Sequence, residues 1–159
     1  MKVLVYGYGN PGRQDDGLGI ALVEKLEEWA VQQSLDQIEF ENNYQLNIED
    51  AEAISGKDLV IFADASEEEI DDFCLSEVDG KGKLAFTTHS ASPGYILKLC
   101  EELFRRTPRV LLIHIKGYEW DFKEGISVRG MENLERAFWA LQGFLKQPEN
   151  EAVLIDKIC

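Results

Sequence analysis

Positive charge is scarce in this chain: 16 lysines and arginines stand against 30 acidic residues, a formal net charge of −14. A surface of that sign repels phosphate backbones and anionic headgroups at long range, which argues against binding nucleic acid or a membrane surface. Long apolar runs are also missing, and none reaches the roughly 18 residues that a spanning helix needs. The opening MKVLVYGYG offers one lysine and a few apolar residues before glycine and asparagine intervene. That is too short for the apolar region of a signal peptide. Cysteine is limited to Cys74, Cys100 and Cys159, with no pair at metal-ligand or redox-motif spacing, a usage that suits a reducing cytoplasm. Cys74 and Cys100 are expected to pack as small apolar residues. Cys159 ends the chain without a prenylation box ahead of it. Repeats, linkers and low-complexity stretches are absent, which leaves one domain, with a monomer as the default expectation.

What is present is an ordinary globular composition, 45% hydrophobic and 29% charged over 159 residues, the size of one domain. Lys2–Tyr6 reads as a buried strand running into a glycine-rich turn. Ile20, Leu22, Val23, Leu26, Trp29 and Ala30 then recur at helical spacing, predicting a helix over 17–33. Gln37–Glu41 alternates like a half-exposed strand, and Asn47–Ile54 reads as a short helix capped by Asn47. The run DLVIFA at 58–63 is continuous enough for a strand buried on both faces, ending at Asp64. Residues 73–78 and 83–88 flank a glycine-containing turn and could pair as a hairpin at a sheet edge. A helix follows from Ser92, with Pro93 in the first turn where proline is tolerated. The run RVLLIHI at 109–115 predicts another buried strand and 131–145 a last amphipathic helix. The alternation predicts an α/β three-layer sandwich: a mainly parallel twisted sheet of about five strands, with helices on both faces. The apolar tail 152–159 either docks as an extra strand or stays loose.

In such sheets ligands bind beyond the carboxyl ends of the strands, where strand order reverses. Asp16 follows the first strand, Asp64 ends the DLVIFA strand and His89 follows the strand-like run ending at Thr88, so the three are expected at one edge. Taken singly, Asp15 and Asp16 read as well as helix caps, Asp64 as a cap for the turn at 66–70, and His89 as hydrogen-bonded structure. Together, two carboxylates and an imidazole form a mixed oxygen and nitrogen set suited to a borderline divalent metal. His114, the other histidine, reads as a core or strand-end residue, and no serine or cysteine pairs convincingly with a histidine. Gly7-x-Gly9-x-x-Gly12 satisfies a dinucleotide fingerprint, with Glu41 as ribose partner. Against it stand Pro11, which lacks a backbone donor, the acids Asp15 and Asp16 beside any bound pyrophosphate, and a helix that starts too late.

The segment GYGNPGRQDDGLG resembles the signature of the hydrogenase maturation proteases. NNYQLNIEDAEAISGKDLVIFADAS resembles that family's central-aspartate segment, THSASPGYIL its histidine–proline segment and KGYEWDFKEGIS its later glycine-containing loop. The four segments span most of residues 3–128. The resemblance implies an endopeptidase that removes the C-terminal extension of a nickel-containing hydrogenase large-subunit precursor after nickel insertion. It implies Asp16, Asp64 and His89 as both the metal-contacting and the catalytic positions, with nickel carried by the precursor. Tyr118, Trp120 and Phe122 in the last segment either grip that precursor or fold back on their own core. A nickel-dependent binding protein or chaperone that holds the precursor without cutting it would use the same residues.

Overall fold

The computed structural model describes residues 1–80 and 91–159. Its five strands are β1 (Val3–Tyr8), β2 (Ile38–Asn43), β3 (Leu59–Ser66), β4 (Phe73–Val78) and β5 (Arg109–Lys116). The helices are α1 (Leu18–Gln32), α2 (Asp50–Ser55), α3 (Pro93–Phe104) and α4 (Val128–Lys146). The sheet runs β2-β1-β3-β5-β4, with β4 antiparallel to β5 and every other pairing parallel. The mainly parallel α/β sandwich read from the sequence is what forms.

Alternate residues of β1, β3 and β5 feed two cores. Val3, Val5, Leu59, Ile61, Ile113 and Ile115 pack with Leu22, Leu26, Leu141 and Phe144 on the side of α1 and α4. Leu4, Tyr6, Val60, Phe62 and Val110 pack with Ile54, Ile96 and Cys100 on the side of α2 and α3. Being covered on both faces is why β1 and β3 read as unbroken apolar runs. The chain leaves β1 through α1 to β2 on one flank and returns through α2 to β3 on the other. Strand order therefore reverses between β1 and β3, and the crevice in which sheets of this kind bind ligands lies beyond the carboxyl ends of the strands at such a point.

Several local expectations change. Strand β3 runs on past Asp64 to Ser66, because β5 continues alongside it and pairs Ser66 with Lys116. Asn47 does not cap α2. The helix starts at Asp50, whose carboxylate instead accepts from the Asn47 backbone N–H at 2.7 Å and from the Tyr6 hydroxyl at 2.9 Å. Ser92 caps α3 with Pro93 in the first turn, as its sequence implies. The described neighbour of β4 is β5, and the hairpin partner expected at 83–88 lies outside the described residues.

The cysteine reading is overturned. Cys74 and Cys159 form a disulfide across 85 residues of sequence, with Cα atoms 5.0 Å apart, while Cys100 is free and buried as expected. Local spacing gave no sign of it, because the pair meets only when the tail returns to the sheet edge. There Leu154 is buried, Lys157 pairs with Asp72 at 2.9 Å, and the Cys159 N–H donates to the Leu75 carbonyl at 2.8 Å. Cross-linking a loop of this length stabilises by roughly 2–5 kcal/mol. Cys159→Ser, or reduction of the wild type, is expected to lower stability by about that amount in denaturant titration. An unchanged midpoint would show that the bridge contributes nothing to the fold.

Candidate active site

The turn after β1 determines the site. Gly9 has φ 137°, and a Cβ placed there would lie 2.1 Å from the Asp16 carbonyl oxygen, so only glycine lets the chain close on itself. Pro11–Gly17 then form a 3-10 segment interrupted at Arg13 and Gln14, the latter at φ 46°. The Asn10 side chain accepts from the Gly12 N–H at 2.9 Å, and Asp16 accepts from the Asn10 N–H at 2.8 Å. Neither Asp15 nor Asp16 caps α1, whose N-cap is Gly17 without a side-chain bond. The capping alternative therefore fails for both. The dinucleotide fingerprint fails too. The Gly12 N–H is occupied, the helix begins only at Leu18, and the acids fill the turn.

Asp16, in the turn after β1, and Asp64, on β3, come close enough for their charges to interact. Burial lifts the Asp64 carboxyl to about 7, the Asp16 charge adds to this, and hydrogen bonds donated by the Tyr8 hydroxyl and the Ala65 N–H oppose it. Tyr8 is itself pushed well above the ordinary phenol range by burial and by Asp64. Asp64 does not cap the following turn, where Ser66 Oγ accepts from the Glu68 N–H at 3.1 Å. The structure thus brings two of the three expected residues together, while His89 lies outside the described ones. Among the described residues no cluster of three or more metal-ligating side chains forms.

His114 is the register partner of Asp64 on β5. Its Nε2 lies 2.8 Å from Ser76 Oγ on β4, so a serine does contact a histidine, against expectation. The two are 38 residues apart and meet only through the β4–β5 pairing. Burial lowers the His114 pKa, with Glu68 opposing, and the ring is a neutral partner for that hydroxyl at neutral pH.

The sequence singled out Asp15 only as a neighbour of Asp16. It is fully buried, and its carboxylate accepts from the N–H groups of Tyr118 (2.7 Å), Glu119 (3.1 Å) and Ser127 (2.7 Å) and from the Ser127 hydroxyl (2.7 Å). Burial pushes its pKa up, but these four donors outweigh it and the net shift is downward. Ser127 in turn caps α4, accepting from the Gly130 N–H at 3.0 Å. Gln14 adds a second clasp, its N–H donating to the Lys123 carbonyl and its Oε1 accepting from the Asp121 N–H. Gly117 must be glycine, since a Cβ there would come within 2.8 Å of both Asp15 and Trp120. Residues 117–127 therefore fold against the β1 turn, and the one sequence signal for this was the doubled acid.

No family model matches the chain, and no curated protein matches it. Solved structures do. An Escherichia coli hydrogenase maturating endopeptidase, HybD, superposes with a TM-score of 0.72 at 18% identity, covering 93% of this chain and 94% of its own. A [NiFe] hydrogenase maturation protease, HycI, from Thermococcus kodakarensis gives 0.72 at 22%, covering 92% and 93%. A hydrogenase 2 maturation peptidase from a Thaumarchaeota archaeon gives 0.67 at 23%, covering 91% and 98%. The chain has the hydrogenase maturation protease fold. Among the described residues no helix is long and apolar enough to cross a membrane.

The two acids of this site carry opposite linkage to pH. An Asp64 raised from about 4 to about 7 stabilises the fold most when protonated, and stability falls as pH rises through that window. In metal-free protein Asp64→Asn is expected to add about 2–4 kcal/mol at pH 8 and little at pH 4. Thermal unfolding at both values checks this, and equal effects would defeat it. Asp15 is depressed, so its contribution is complete above an unfolded value of about 4 and disappears as pH falls through the lower folded value. The cost of Asp15→Asn, measured by denaturant titration, should therefore shrink between pH 7 and pH 2.

Proposed function

We propose that this protein is an endopeptidase that removes the C-terminal extension of a nickel-containing hydrogenase large-subunit precursor once nickel has been inserted. The observation that carries the reading is the pair Asp16 and Asp64 in the strand-reversal crevice, with Asp64 held near neutrality by burial and by Asp16. Two crowded carboxylates repel each other, and a cation between them removes that cost. Oxygen donors with one imidazole fit a borderline divalent ion such as nickel, so the pair suits a metal presented by the substrate. His89, four positions ahead of Pro93 in the sequence, is the third proposed contact.

In this mechanism Asp16 and Asp64 orient the loaded precursor, and contact with its metal makes recognition a check that insertion is complete. A divalent metal bound at a scissile amide supplies Lewis-acid polarisation or a water of lowered pKa. The chain's own part is to position, and the Tyr8 hydroxyl, which donates to Asp64, holds the orientation of its carboxyl. The reading places the protein in the cytoplasm as a monomer.

A non-cleaving, nickel-dependent binding protein uses the same contacts, and the mass of the product separates the two. Wild-type protein incubated with nickel-loaded precursor is expected to shorten it by a C-terminal peptide, as read by mass spectrometry. Metal-free precursor should stay intact, and Asp16→Ala, Asp64→Ala and His89→Ala should each slow cleavage at least about 100-fold, the scale of losing a positioned metal contact. Binding without any mass change would sink the peptidase reading in favour of the chaperone.

A further inference from the structure

The 117–127 loop is fastened at Tyr118–Asp121, Lys123 and Ser127, yet it presents one large apolar side chain to solvent. The Asp15 N–H donates to the Glu119 carbonyl at 3.0 Å and the Gln14 N–H to the Lys123 carbonyl at 2.9 Å. Arg13 Nε donates to the Trp120 carbonyl at 3.1 Å. The Arg13 guanidinium lies 5.8 Å from the Trp120 ring centroid and 5.8 Å from that of Phe122. Tyr118 and Trp120 are partly buried, whereas Phe122 is 86% exposed. Phe122 thus gives the fold almost no burial energy, and its exposure does not come from a loose loop. A large ring carried on a backbone that is fastened on either side, at Asp121 and Lys123, leaves less of the chain for binding to order.

We infer that Asp15 is a positioning residue that fixes the 117–127 loop so that Arg13, Trp120 and Phe122 form a docking rim beside the crevice, with Phe122 as anchor for the precursor. The Arg13 cation at the base of the ring selects an apolar recess edged by carboxylate or carbonyl oxygens, by charge complementarity. The identity of the partner rests on the processing function proposed above, whereas the fastening of the loop does not.

Two measurements on the intact chain test this. Hydrogen exchange is expected to be at least about tenfold faster at the amides of Tyr118, Glu119 and Ser127 in Asp15→Asn, with β3 and β5 unchanged, a local rather than global opening. Unchanged exchange would overturn the positioning role. In cleavage kinetics Phe122→Ala is expected to raise KM about tenfold with kcat within about twofold, a loss of uniform binding. Asp15→Asn should raise KM similarly, and the double variant no further than the worse single one, because both act through one anchor. Additive effects, or an unchanged KM for Phe122→Ala, would overturn the rim. If Asp15→Asn fails to fold, Ser127→Ala, which removes one of the four donors, takes its place. A wild type that binds precursor without cutting it defeats the peptidase reading alone, and the same comparison is then made in Kd. A wild type that does neither overturns the docking role as well.

Discussion

One buried anion organises this end of the molecule. A carboxylate taken out of water is costly unless its lone pairs are met, and Asp15, with no solvent exposure, meets three backbone N–H groups and one hydroxyl. Charge-assisted bonds of this kind are stronger than neutral ones, and here they tie three pieces of chain together: the turn after β1, the loop after β5 and the cap of α4. Without the turn the loop has no acceptor, and without the loop the acid has no donors. Each side is therefore a condition of the other.

The neighbouring acids are treated in opposite ways, and that contrast gives the crevice its character. Asp15 has its charge satisfied inside the protein and is held ionised. Among the described residues Asp64 receives the Tyr8 hydroxyl and the Ala65 N–H, and it is crowded by Asp16, so its charge is disfavoured. The first arrangement makes structure, while the second leaves a carboxyl whose charge finds no cationic partner among the described residues. Placed at the β1–β3 reversal of a hydrogenase maturation protease fold, that charge is the physical basis for proposing a substrate that brings a cation with it. The stability lost through Asp64 is the kind of local cost that functional sites retain.

Much of the architecture was legible because it follows from short-range pattern. Runs such as VLVYGY and LVIFADAS are apolar enough to be read as strands covered on both faces, and Ser92-Pro93 announces the start of α3. Asp16 and Asp64 were picked out in the sequence because each follows or closes an apolar run, although β3 continues past Asp64 to Ser66 and Asp16 lies in the turn beyond β1. Legibility ended where a side chain's role depends on a distant partner. Asn47 looks like a cap until the Asp50 carboxylate takes its N–H. Asp15 looks like a cap until the loop 102 or more residues away closes on it. Ser76 and His114, like Cys74 and Cys159, carry no mutual signal at 38 and 85 residues' separation.

The amino-acid sequence by itself determined the alternation of strands and helices, the mainly parallel sheet and the acids at its carboxyl edge, because periodicity and turn chemistry act over a few residues. Only the tertiary structure decided which acid is a structural hub and which is left crowded by another acid. It alone joined the tail to β4 and clasped the 117–127 loop against the first turn. Those outcomes depend on desolvation and on hydrogen-bond partners contributed by remote segments, quantities that take a value only when the strands are in register and the sheet has closed over its two cores.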